Sequence, residues 1–288
     1  MRYACDMSEA ADHDFRHLPP GAGRLGAVFA RPKRVAVACV IALTALGWLY
    51  LALVTVPMDG VIAALCRPTF GAGETWAASD FGLVAAMWAA MVLAMMLPSA
   101  APMILTYAEI ADTAARKGER IVSPFVIAGG YSVVWFGFAL LATVAQLLFT
   151  RAALLDTGMA SASALLSGAI FIGAGLYQFS ALKHACLTEC RQPFPFFFAH
   201  WETTPRGVFR LGLKQGLFCL GCCWAMMAVM FAVGTMNAIW MAALAVVMTV
   251  EKMASGNRLT YGLGAALIAI GVAFVLVAFV AHWPPRAI

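Results

Sequence analysis

Residues 216–230 read GLFCLGCCWAMMAVM, an apolar stretch that contains three cysteines and three methionines. Its flanks extend the apolar run over Leu211–Gly234. About 20 residues of helix cross the roughly 30 Å hydrocarbon core of a bilayer, so this run is long enough to span one. Backbone polar groups find no water inside lipid, and such a segment is therefore expected to be a helix. The stretch predicts a membrane-spanning helix with sulfur side chains along it.

The composition of the whole chain agrees with this prediction. Of its 288 residues 63% are hydrophobic and 11% are charged, whereas soluble domains carry charge at about a quarter of their positions. We expect an all-α, polytopic membrane bundle over residues 33–283. It would have about seven spans, at Val35–Val56, Phe81–Leu105, Pro124–Phe149, Ser161–Leu182, Leu211–Gly234, Ala238–Met253 and Leu259–Ala281.

The polar residues 1–32 predict a disordered tail without a core of its own. No cleavable signal is expected, because the first apolar run is itself long enough to span a membrane.

The distribution of lysine and arginine predicts the orientation of the bundle. With a cytoplasmic amino terminus, sixteen of the nineteen basic residues lie on the cytoplasmic side, and three lie outside (Arg67, Arg151 and Arg286). Cytoplasmic loops are enriched in Lys and Arg, so this orientation is favoured. Residues 183–210 then form a cytoplasmic connection rich in cysteine and aromatic residues. The net charge of +5 follows from this topology and does not indicate nucleic-acid binding.

The same orientation limits the chemistry of the eight cysteines. Only Cys66 would face the oxidising side of the membrane, so an intramolecular disulfide there is not expected. Thiols on the cytoplasmic side are normally kept reduced, and clustered ones are more often metal-binding or catalytic.

A helical projection places the sulfur atoms of residues 216–230 on one face. At 100° per residue, five side chains fall within about 100° of arc, namely Cys219, Cys222, Cys223, Met226 and Met230. A single buried Cys or Met is usually a packing residue. Three cysteines within five positions, continued in phase by methionines, favour a set of metal ligands instead.

A second span carries another stripe of methionines. Met87, Met91 and Met95 recur every four residues, and Pro98 and Pro102 continue the same face. Proline removes a backbone donor, so carbonyl groups freed in this helix must be satisfied by neighbouring side chains or within a lined cavity.

The topology brings several of these groups to the inner half of the membrane. The expected ligand set comprises Cys186, Cys190, Cys219, Cys222, Cys223, Met95, Met96, Met226 and Glu251. Thiolates and thioethers favour Cu(I), and thiolates also bind zinc. His184 and His200 are weaker candidates, and Glu251 could instead form an interfacial ion pair with Lys252.

The order of these motifs resembles a bacterial family described as predicted metal-binding integral membrane proteins, a domain of unknown function with some members labelled copper chaperones. The resemblance covers residues 81–253 and rests on Met95-Met96-Leu97-Pro98, Lys183-x-x-Cys186-Leu187-x-x-Cys190-Arg191, Gly216-x-x-Cys219-Leu220-Gly221-Cys222-Cys223-Trp224, Gly234-x-Met236-Asn237 and Glu251-Lys252. It implies a multi-pass protein of the bacterial inner membrane that handles a metal, with copper favoured.

Three functions stay open on the sequence alone. The first is a Cu(I)-binding membrane protein that transfers or delivers copper, in contact with the lipid bilayer and with a soluble metal donor or acceptor, or with a larger membrane complex. The second is a membrane thiol oxidoreductase that uses Cys219 and Cys222. The third is an accessory structural subunit of a larger membrane enzyme complex.

Other functions have little support in the sequence. The chain has no nucleotide-binding glycine loop, ATPase signature or paired intramembrane carboxylates, so pumping or ordinary catalysis by it alone is not expected. The last span, Leu259–Ala281, has no lysine that could form the Schiff base of a seven-helix photoreceptor.

Overall fold

A computed structural model of the chain describes residues 32–55, 78–118, 122–152, 154–155, 161–235 and 237–281. The polar tail before residue 32 lies outside this range, as do Cys66, Arg67, Met236 and Arg286.

The described residues fold into helices, and no strand occurs among them. In chain order the helices are α1 (Pro32–Thr55), α2 (Ala78–Met91), a π-helical segment (Val92–Met96), α3 (Leu97–Arg116), α4 (Pro124–Arg151), α5 (Ala164–Tyr177), α6 (Ala181–Arg191), α7 (Pro193–Ala199), α8 (Pro205–Ala228), α9 (Met230–Val233), α10 (Ala238–Met253) and α11 (Arg258–Ala281).

Five stretches of helix among the described residues are long and apolar enough to cross a membrane: Val35–Leu53, Asp80–Ala114, Pro124–Arg151, Pro205–Val233 and Arg258–Val280. A sixth candidate is the pair α5 and α6, if the two helices form one span despite the 64° bend between them. Helix α10 coincides with the predicted sixth span, but its 16 residues are short for a crossing. The described residues therefore form a helical bundle with five or six candidate spans.

The outer face of α11 is an exposed apolar surface. Large apolar side chains on this helix are exposed, among them Leu276, Val277, Phe279 and Val280. The opposite face packs on α5 through glycines, where Gly271 approaches the Gly168 carbonyl group. Exposed apolar surface of this kind is typical of contact with lipid.

The second span is broken by a π-helical segment that ends two residues before Pro98. Proline has no N–H, so the carbonyl group four residues earlier, that of Ala94, loses its helical donor. The Trp48 indole Nε1 of α1 donates to the Ala94 oxygen at 3.1 Å. A neighbouring helix thus satisfies the freed carbonyl group, as expected from the sequence.

Helices α4 and α8 touch backbone to backbone at two glycines. A Cβ added at Gly212 would collide with the Ile127 carbonyl oxygen, and one added at Gly130 would collide with that of Phe209. Small residues allow such close approach of helices in membranes. The contact also fixes the side chain after Gly130, Tyr131, against the sulfur-rich face of α8.

Helix α6 begins just after the 64° bend and carries two of the predicted ligands, Cys186 and Cys190. The Ser180 hydroxyl caps it by accepting a hydrogen bond from the Lys183 N–H at 3.2 Å. Pro193 then begins α7. These local signals set where α6 begins and ends.

The glycine contact gives a matched test of the packing between α4 and α8. Gly130→Ala should lower the free energy of unfolding by about 1–3 kcal/mol, because the added methyl group overpacks the contact. Gly129→Ala is the control, since a Cβ at Gly129 meets nothing within 4 Å. Thermal unfolding in detergent measures both variants, and equal stability would contradict the assigned contact.

Candidate metal centre

The sulfur-rich face of α8 points into the bundle. The five side chains predicted to share this face are each at most 3% exposed, namely Cys219, Cys222, Cys223, Met226 and Met230. Close packing against α4 and α6 turns the face inward. The helical projection therefore located the buried side of α8 correctly.

Three thiols from two helices form a compact group. The sulfur atoms of Cys190, Cys219 and Cys222 all lie within 4.8 Å of one another, and no disulfide forms among the described cysteines. Cys190 comes from α6, and its Sγ lies 3.9 Å from that of Cys222. Metal–sulfur bonds of about 2.3 Å put two ligand sulfurs about 3.8 Å apart in a tetrahedral site and about 4.0 Å apart in a trigonal one. The three thiols thus have the spacing and the chemistry of a soft-metal site.

The other two predicted thiols lie at the edges of this group. Cys223 Sγ is 3.3 Å from Cys222 Sγ, but the three-thiol group does not include it. The Cys186 sulfur lies against Gly221, where a Cβ would come within 2.5 Å of it. Of the two cysteines on α6, Cys190 therefore belongs to the three-thiol group and Cys186 does not.

The predicted methionines are buried, and two of them have identified polar roles. The Met226 Sδ accepts a hydrogen bond from the Gln178 Nε2 at 3.0 Å. Met96 contributes its carbonyl oxygen, which accepts from the Ser99 hydroxyl at 2.8 Å and from the Tyr131 hydroxyl at 3.2 Å. Met95 is fully buried.

A ring of polar contacts surrounds the Cys219 thiol. The Lys252 Nζ lies 2.9 Å from the Cys219 Sγ and donates to the Ser99 Oγ at 2.8 Å. The Tyr131 hydroxyl lies 3.1 Å from the same sulfur, and both Ser99 and Tyr131 donate to the Met96 carbonyl oxygen. The ring takes one residue each from α8, α10, α3, the π-helical segment and α4.

A cavity of about 20 Å³ opens beside this ring. It is lined by Ser99, Ala100, Met103, Tyr131, Cys190, Gln215, Cys219 and Lys252. That volume holds about one water molecule or an ion of similar size. The cavity gives a single small particle access to two of the three thiols.

Glu251 is turned away from the thiols and forms a buried ion pair. Its Oε2 lies 2.9 Å from the Lys183 Nζ, and the two side chains are 1% and 0% exposed. The Arg191 guanidinium group donates twice to the Glu251 backbone oxygen, at 2.8 and 3.1 Å. Glu251 does form an ion pair, but its partner comes from α6 and is not the adjacent Lys252.

The two histidines lie outside the three-thiol group. The His184 ring packs edge-to-face against Tyr261, with ring centroids 5.1 Å apart. The His200 Nδ1 lies 3.1 Å from the Phe196 carbonyl oxygen, and its ring stacks on the Phe196 ring.

Sequence reasoning missed Lys252, Tyr131 and Ser99 as neighbours of the thiols. Lys252 is part of the Glu251-Lys252 motif quoted above, and this motif was the signal that could have identified Lys252 as a neighbour of the thiols. Tyr131 and Ser99 are polar residues inside apolar spans, where polar side chains usually face a partner within the bundle.

Comparison with protein families gives a match over most of the described chain. The model of the family PpoB2, described as "Copper chaperone", matches residues 85–274. The three thiols, Lys252 and Tyr131 all fall inside that range. Searches of curated proteins and of solved structures give no match.

The buried ion pair gives a stability prediction. Glu251→Gln should destabilise the protein by about 3–5 kcal/mol, because it leaves the Lys183 ammonium group buried without a counter-charge. The double variant Lys183→Met/Glu251→Met should be less destabilised, since it removes both charges. Unfolding in detergent measures the difference, and a double variant less stable than Glu251→Gln would contradict the pairing.

Proposed function

The chain belongs to the family described as copper chaperones, and on this premise we propose that it binds Cu(I) and delivers the ion to another protein. The observation that carries the proposal is the group of three thiols, Cys190, Cys219 and Cys222, whose sulfur atoms lie within 4.8 Å of one another. Thiolates are preferred ligands of Cu(I) in proteins. Zinc, which thiolates also bind, is the alternative metal.

We place the site in the inner half of a bacterial inner membrane, in a bundle of seven spans with a cytoplasmic amino terminus. The excess of Lys and Arg in the corresponding connections supports this orientation. In this count α10 is the sixth span along the chain, and it carries the Lys252 neighbour of the thiols. In this topology the chain is embedded in the bilayer and presents α6 and α7 toward the cytoplasm.

Cys190 is the best-placed ligand for exchange with a partner. It is half-buried, whereas Cys219 and Cys222 are at most 3% exposed. An incoming thiolate from a soluble acceptor protein would form a new Cu–S bond as the bond to Cys190 breaks. The copper stays Cu(I), and the released Cys190 thiolate takes up the proton that the partner thiol gave up.

The remaining predicted ligands would serve as secondary positions during transfer. Cys223, beside Cys222, would accept the ion from the three-thiol group, and Cys186 would act with Cys190 at the cytoplasmic side. Met95, Met96 and Met226 would supply thioether sulfur deeper in the bundle. Glu251 is the least suited of the predicted ligands, because Lys183 already holds its carboxylate.

Two other functions make different predictions for the same residues. A thiol oxidoreductase would form a disulfide between Cys219 and Cys222 under mild oxidation, and it would bind no stoichiometric metal. An accessory subunit of a larger membrane enzyme complex would keep that complex active after loss of the thiols. The free thiols of the described residues fit a metal carrier.

The central test is Cu(I) binding by the anaerobically purified chain in detergent, measured by competition with a Cu(I) chelator. The wild type should bind stoichiometric Cu(I). Cys190→Ala, Cys219→Ala and Cys222→Ala should each weaken binding by about tenfold or more, because each removes one of a small set of sulfur ligands.

A matched control lies on α1. Cys39→Ala changes a free thiol that does not belong to the three-thiol group. It should keep the wild-type affinity within a few-fold. Undiminished binding after triple substitution of Cys190, Cys219 and Cys222 would refute the proposed site.

The orientation has its own test by thiol labelling from outside intact cells. In a Cys66→Ser background, Arg151→Cys should react with a membrane-impermeant maleimide. Lys117→Cys should react only after the membrane is permeabilised, because Lys and Arg accumulate on the cytoplasmic side. Both positions are exposed at helix ends and are therefore open to the reagent. Labelling of position 117 in intact cells would contradict the proposed orientation.

A further inference from the structure

Lys252 contributes a positive charge directly at the thiol site. Its ammonium nitrogen lies 2.9 Å from the Cys219 Sγ. This distance is shorter than the sulfur–sulfur distances from Cys222 to Cys190, 3.9 Å, and to Cys223, 3.3 Å. The Ser99 hydroxyl holds the same ammonium group from the other side at 2.8 Å. The charge is therefore fixed in position and does not swing free at the surface.

No carboxylate neutralises this charge among the described residues, because the ion pairs found there do not include Lys252. The adjacent Glu251 carboxylate lies on Lys183 at 2.9 Å. Arg191, the other cation nearby, uses its guanidinium group on the Glu251 backbone oxygen and on Asn257. The thiols are thus the anionic partners available to Lys252.

A count of charges then separates monovalent from divalent ions. Two thiolates, one monovalent metal ion and the Lys252 ammonium group sum to zero. With a divalent ion the same set carries one net positive charge, and an uncompensated charge is costly in a buried site. A divalent ion reaches neutrality only if all three thiols lose their protons. It would then have three sulfur ligands, whereas zinc normally takes four.

We propose that Lys252 is the built-in counter-ion of the thiol site and makes it selective for a monovalent soft metal ion over a divalent one. The inference rests on the proposed function and specifies the charge of the metal ion that the site prefers. Lys252 binds no metal in this scheme; it acts through the charge of the metal–thiolate group. Without its charge, two thiolates and a divalent ion form the neutral set, and the preference should shift.

The test compares Cu(I) and Cd(II), which both bind thiolates, on the purified full chain in detergent under anaerobic conditions. Chelator competition gives the Cu(I) affinity, and the cadmium–thiolate absorption band gives the Cd(II) affinity. Lys252→Met should lower the ratio of Cu(I) to Cd(II) affinity by about tenfold or more, because it removes the only cation that contacts a thiol among the described residues. Lys252→Arg keeps the charge and should keep most of the wild-type ratio.

Lys214→Met is the matched control for loss of a charge. Lys214 is exposed on α8, five residues before Cys219. It should leave the ratio unchanged. Elution as a single species in detergent identifies variants that remain folded, and Lys252→Gln replaces Lys252→Met if the latter does not fold.

The outcomes separate the two proposals. A wild-type chain that binds no Cu(I), or one that still binds it without the three thiols, refutes the proposed function itself. Normal Cu(I) binding by the wild type, with an unchanged affinity ratio in Lys252→Met and Lys252→Gln, overturns the role of Lys252 alone. A ratio that falls equally in Lys252→Arg also overturns it, because the charge would then not be the cause.

Discussion

The contact between the Lys252 ammonium group and the Cys219 sulfur is the interaction on which the centre of the structure depends. It joins the end of α10 to the middle of α8 at 2.9 Å. Both partners are also tied elsewhere: Lys252 to Ser99 and Cys219 to Tyr131. Those two hydroxyls meet at the Met96 carbonyl oxygen, so the closed ring links five helical segments: α8, α10, α3, α4 and the π-helical segment.

Such a ring has a clear physical origin in an apolar bundle. A polar group buried without a partner destabilises the fold, so polar side chains inside a membrane bundle collect around one another. The break in the second span lies beside the ring: Pro98 frees the Ala94 carbonyl group, and the Met96 carbonyl group accepts hydrogen bonds from side chains. Trp48 uses the first, and Ser99 and Tyr131 use the second.

Much of this arrangement follows from the sequence, and the reasons are local. The length and polarity of the apolar runs predicted helices close to most of those observed, but the predicted fourth span, Ser161–Leu182, is divided between α5 and the start of α6 at a 64° bend. The projection of α8 placed its sulfur side chains on one face, and that face is buried. Spacing within one helix fixes which residues share a face, since each residue turns by about 100°. The same rule separates Glu251 from Lys252 on α10, so one reaches Lys183 and the other reaches Cys219.

The sequence could not predict which face of one helix meets which face of the next. That choice depends on contacts between distant residues, such as Gly130 with Phe209 and Gly212 with Ile127. For this reason Cys186 and Cys190 seemed equivalent on α6, although only Cys190 joins the three-thiol group. The seven-span count and the cytoplasmic amino terminus stay predictions.

Gly221 has no side chain, and this allows the two helices that carry the thiols to approach each other closely. The Cys186 sulfur fills the place where a β-carbon would stand, and this lets α6 rest directly on α8. One turn further along α6, the gap between Cys190 and Cys222 is 3.9 Å. The absence of a β-carbon at Gly221 thus allows the helices to approach closely enough for their thiols to meet. A wider separation would take the Cys190 sulfur away from the two thiols of α8 and leave Cys219 and Cys222 without a third.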